Sequence, residues 1–153
     1  MHDGESLMNE LYDISNISNA IHLAVAPVFL LTGIGALLGV MTNRLGRVID
    51  RARLLEGRLE NAAPGDAVGI TAHLGILARR AKLINLAITC CTMTALLICS
   101  VIALLFSGSF VRFNIAIPVA LLFIMAMLLL VMGLLLFLRE IFIATGNLRI
   151  GPR

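Results

Sequence analysis

The chain has 153 residues, 59% of them hydrophobic and only 14% charged, with a mean hydropathy of +0.99. A soluble domain carries a much smaller apolar share. The net charge of +3 gives little reason to expect nucleic-acid binding, because the arginines alternate with Asp50, Glu56 and Glu60 and no aromatics stand among them to stack on bases.

Residues 1–13 read as an acidic outer tail with Asp3, Glu5, Glu10 and Asp13, and they lack the positive n-region of a cleaved signal. Residues 14–43 form the first expected membrane span. Leu7, Leu11, Ile14, Ile17 and Ile21 follow helical spacing, and Ser15, Asn19 and His22 share another face. Pro27 falls inside this span, since Pro27 to Met41 alone would reach only about 22 Å. Gly33, Gly35, Ala36 and Gly39 make a small-residue face that lets another helix backbone come close.

Residues 44–82 are expected to form a long antiparallel helical hairpin in the cytoplasm. On its first arm Leu45, Val48, Ile49, Ala52, Leu55 and Leu59 line one side. Arg47–Asp50, Asp50–Arg53 and Arg53–Glu56 stand at pairing distance along the helix. Pro64-Gly65-Asp66 reads as the break, and Val68, Leu74, Leu77, Ala81 and Ile84 as the seam of the returning arm. Residues 83–106 are the second span, with Asn85, Thr89, Thr92 and Cys99 on one polar stripe. Residues 107–114 are an outer turn, with Asn114 placed to cap the third helix and Pro118 in its first turn. The third span, 115–138, has no polar side chain and suits lipid contact at the periphery. Arg139 and Glu140 mark its exit into a cytoplasmic tail, 139–153, with Thr145-Gly146-Asn147 ending the helix.

Orientation follows from the basic residues. The 44–82 segment holds eight Lys or Arg and the tail three more, against Arg112 alone on the other side. The expected arrangement is an N-terminus outside and a C-terminus in the cytoplasm. Cys90, Cys91 and Cys99 lie in an uncharged span without zinc or CxxC spacing, so neither a metal nor another cofactor is expected. There is no Gly-rich phosphate loop, nucleophile elbow or paired-histidine motif, so an enzyme is not expected.

The segments APVFLLTGIGALLGVMTNRLGRVIDRAR, LARRAKLINLAI, ALLICSVIALLF and GLLLFLREI resemble the bacterial membrane family catalogued as domain of unknown function 2721. The resemblance runs from about Ile14 to Ala144 and implies a bacterial inner-membrane protein. It brings no activity or binding residues with it.

The all-α, three-span reading leaves two functional expectations. The first is a self-associating structural or interaction protein organised by its hairpin, with membrane lipids and an unidentified cytoplasmic protein as candidate partners. There Ser15, Asn19 and His22 serve polar packing between helices. The alternative is an oligomeric ion channel or transporter whose first span lines the pathway, with His22 as the foremost candidate, since ionisable groups inside membranes are commonly functional. Arg44 and Arg47, nearest the bilayer, are the candidate lipid-headgroup contacts.

Overall fold

The computed structural model describes residues 3–108 and 116–146, and these are helical apart from one short turn. Helix α1 runs Asp3–Leu59, α2 Pro64–Gly108 and α3 Ala116–Gly146. Helix suits such a chain because each backbone N–H and C=O is satisfied within its own segment, which hydrocarbon requires. All three helices are long and apolar enough to cross a membrane. Of the most apolar stretch of each, only 17%, 22% and 11% is buried. Surfaces so apolar and so uncovered call for a non-aqueous surrounding, the pattern of a multi-pass membrane protein.

Three boundaries differ from the sequence expectation. The segment read as a tail is helical from Asp3 onward, so α1 continues through it. Pro64, Gly65 and Asp66 open α2 instead of breaking the chain, and the turn is Glu60–Ala63. Proline fits a first helical position, where its missing N–H would have had no partner. The Ala63 carbonyl accepts from the amides of Asp66 and Ala67 at 3.0 and 3.2 Å, starting α2 at once. Ser107 and Gly108 belong to α2, while Asn114 and Asn147 lie outside the described residues. A turn this short joins antiparallel helices.

The chain divides into two compact units, Met1–Gly35 with Met93–Leu128, and Ala36–Thr92 with Leu129–Arg153. In the first, Ala24, Pro27, Ile34, Ile98, Val101 and Ala126 are buried, and Thr94 Oγ1 donates a long 3.4 Å hydrogen bond to the Ala126 carbonyl. In the second, the buried set is Met41 and Val48 on α1, Leu77, Ile84, Ala87, Cys90 and Cys91 on α2, and Gly133 and Glu140 on α3.

Buried positions recur every seven residues along each helix: Pro27, Ile34, Met41 and Val48; Leu77, Ile84, Cys91 and Ile98; Ala126, Gly133 and Glu140. Seven residues per two turns is the spacing of knobs-into-holes packing. Helix α3 thus keeps most of its surface outward, as its composition suggested, but is not wholly peripheral. Ala126, Gly133 and Glu140 form its packed seam. At Gly133 α3 lies close against α2. A Cβ there would stand 3.1 Å from Cys91 Sγ, 3.2 Å from Cys90 Cβ and 3.3 Å from the Ala87 carbonyl oxygen. Of the expected seam of the returning arm, Leu74, Leu77, Ala81 and Ile84 are covered, whereas Val68 is exposed and Ala67 and Ile70 are covered at its start.

Candidate functional site

The side chains with the most unusual environment lie in the second unit, where the uncharged stretches of the three helices end. Arg44 is the first charged residue of α1 after Asp13. Lys82 is the last of α2 before Arg112, and Arg139 and Glu140 are the first of α3 after Arg112. At this level Glu140, fully buried, is held by two arginines from the other two helices. Arg80 of α2 donates from Nε and Nη2 to Oε1 at 3.0 and 2.8 Å. Arg44 Nη2 of α1 stands 3.2 Å from Oε2. That second contact is ionic, and Oε2 accepts no hydrogen bond.

The partition follows from the geometry. The Arg80 fork engages one oxygen with two charge-assisted bonds, the stronger kind. Arg44 is steadied from another side, its guanidinium carbon lying 5.5 Å from the centroid of the Phe137 ring, within cation–π range. Phe137 precedes Glu140 by three residues, so ring and carboxylate share one face of α3. Both arginine side chains keep about a quarter of their surface exposed, 26% for Arg44 and 21% for Arg80. The Glu140 side chain that they grip has no exposed surface. A buried carboxylate is tolerated only when paired in this way.

Beside this centre, Arg44, Arg47, Arg51 and Arg80 line a cavity of about 300 Å³ with Val48 and Leu77. Val48 and Leu77 are buried, whereas Arg47 and Arg51 are exposed. A second, mostly apolar groove of about 520 Å³ lies between the two arms, lined by residues that include Val48, Ala52, Leu74 and Ala81.

Of the residues singled out from sequence, Arg44 and Arg47 come together at this cavity, and Arg44 is also committed to Glu140. Gly33, Gly35, Ala36 and Gly39 are exposed, and a Cβ on any of the three glycines would meet nothing within 4 Å. The side chains of Ser15 and Asn19 lie outside the described residues. His22 is exposed and has no hydrogen-bond partner among the described residues. Asn85, Thr89, Thr92 and Cys99 do form one stripe, and it faces outward. Thr89 and Thr92 donate to their own helix, to the carbonyls of Asn85 and Ile88 at 3.0 and 2.9 Å.

The ion pairs expected along the first arm do not form. Among the described residues, the ion pairs are those of Glu140. Exposed pairs gain little and must order two long side chains. Glu140, Arg80 and Gly133 were missed by sequence reasoning. Glu140 had a signal: it is the lone acid of α3, set at the end where α1 and α2 carry arginine. Gly133 had another, as the only glycine of the third span.

Neither the curated proteins nor the solved structures contain a match to this chain. Residues 24–150, which include Arg44, Arg80, Gly133 and Glu140, match the family described as Protein of unknown function (DUF2721), and the chain belongs to that family.

Proposed function

We propose that this is a non-enzymatic, self-associating structural or interaction protein of the bacterial inner membrane, with its N-terminus outside and its C-terminus and helical arms in the cytoplasm. The observation that carries the reading is the Glu140 centre. The buried Glu140 carboxylate is paired with Arg80 and Arg44, and it sits where it can fix all three helices below a pair of water-facing arms. From Arg44 to Leu59 the first arm would project about 24 Å. The outward small-residue face of α1 and the outward polar stripe of α2 are then free for other copies of the chain. The pathway reading of α1 gains no comparable observation.

Topology is tested by cysteine labelling in a background with Cys90, Cys91 and Cys99 replaced by alanine. A cysteine at position 5 should react with an impermeant reagent in intact cells, and one at position 66 only after the membrane is opened. Reaction at position 66 in intact cells would reverse the orientation.

Self-association is tested at Gly35 and Gly39. A Cβ at either position meets nothing within 4 Å among the described residues, and exposed Gly→Leu changes gain up to about 1 kcal/mol each in helix propensity. Thermal stability should therefore hold or rise while native mass measurement and cross-linking show smaller assemblies. Unchanged assembly would remove this face from the interface.

A further inference from the structure

We infer that the cavity between Arg47, Arg51 and the Glu140 centre is a binding site for the phosphate group of an anionic phospholipid. The inference rests on the reading of the three helices as membrane spans, which the labelling experiment tests separately.

The charge balance points to an anion. Arg44, Arg47, Arg51 and Arg80 line one cavity, and among the described residues the only carboxylate paired with any of them is Glu140. Glu140 sits behind Arg44 and Arg80 and orients both guanidinium groups. Arg47 and Arg51 remain uncompensated among the described residues. Arg44, Arg47 and Arg51 follow one another at three and four residues along α1, so they rise on one helix face. Guanidinium groups converging from two helices match the oxygens of a phosphate, which can take paired N–H donors from each.

The placement points to a lipid as the source of that phosphate. Thirty uncharged residues of α1, 14 to 43, end at Arg44, so the cavity opens where headgroups would lie. Arg47 also lines an adjoining cavity of about 420 Å³ with Val40 and Asn43. Val40, Asn43, Arg47 and Arg51 succeed one another at three, four and four residues and are all exposed, making one stripe from the cations to the apolar surface. A free phosphate would use only the charged end of this stripe. A phospholipid would use its whole length, with the phosphate at Arg47 and Arg51 and an acyl chain passing Val40. Arg44, proposed from sequence as a direct headgroup contact, acts here at the back of the site, and Arg51 and Arg80 join it.

The test is native mass spectrometry of the full chain in detergent, titrated separately with phosphatidylglycerol, phosphatidylcholine and inorganic phosphate. Wild type should retain phosphatidylglycerol in preference to phosphatidylcholine. The Arg47→Gln/Arg51→Gln variant should lose about 30-fold in phosphatidylglycerol affinity, from two arginines near a charged lipid surface. Its thermal unfolding should match wild type, since both side chains are exposed and unpaired. The Arg53→Gln/Arg58→Gln variant removes the same charge elsewhere on the arm and should keep most of the affinity. Equal losses in the two variants would reduce the effect to bulk charge and overturn the site. Equal retention of phosphatidylcholine, or inorganic phosphate binding as tightly as the lipid, would overturn the assignment to an anionic phospholipid.

Discussion

Glu140→Ala should destabilise the protein by about 3 kcal/mol, measured as unfolding in detergent micelles. Among the described residues, the change removes the only carboxylate paired with the two arginines and leaves their guanidinium groups close together. Removing one member of a buried ion pair generally costs about 3–5 kcal/mol. The lower end is expected here because Arg44 and Arg80 each keep part of their side chain exposed and can turn toward water. The arginines should not be equivalent. Arg80→Gln takes away two hydrogen bonds and leaves Glu140 with one poorly aligned contact, whereas Arg44→Gln takes away only that contact and the Phe137 stacking. The Arg80 variant should therefore unfold at the lower temperature. The reverse order would mean that the 3.2 Å contact matters more than its geometry suggests.

The second large effect is expected at Gly133. Leucine at this position should cost about 2–3 kcal/mol, the upper part of the usual range for forcing extra carbons into a packed seam. The three nearest atoms to a new Cβ lie at 3.1, 3.2 and 3.3 Å, and the third belongs to the α2 backbone. Cys91 Sγ can rotate aside, but the Ala87 carbonyl cannot, so α3 must move off α2. Gly133→Ala should cost less, about 1 kcal/mol, because one methyl group needs a shift of only a few tenths of an ångström. Combining it with Cys91→Ala, which clears the closest atom, should recover part of that loss. Thermal unfolding of the three variants gives the order directly. A Gly133→Leu protein as stable as wild type would show that α2 and α3 do not meet here.

Much of the fold was legible because charge and length are read directly from sequence. Uncharged stretches longer than a bilayer core, ended by arginine, announce three spans whatever the tertiary packing. The seam positions were not legible for a related reason. In water, an apolar residue marks a buried face. In lipid, Val40 outside and Met41 inside look alike, and periodic hydrophobicity loses its meaning. Glycine spacing was equally silent on packing inside the chain: Gly33, Gly35 and Gly39 drew notice by their spacing, while among the described glycines the one in close contact with another helix is the isolated Gly133. Glu140 was passed over because, beside Arg139, it reads as an ordinary charged exit from the membrane. Only the contacts separate the two, since Arg139 is exposed and Glu140 is buried under arginines from both other helices. A heptad count backward from Glu140 reaches Gly133 and Ala126, the small residues of the same seam.

The most direct measurement is a double-mutant cycle between Glu140 and Arg80, with methionine at one position, the other and both, each unfolded in the same detergent. If the carboxylate and the guanidinium hold α3 to α2 as described, each single variant is strongly destabilised and the double variant is no worse than either. The coupling should then be at least about 2 kcal/mol, near the upper part of the range for residues in direct contact. Losses that simply add, to within about 0.5 kcal/mol, would mean that the two side chains act independently. That result would contradict the central role given to Glu140.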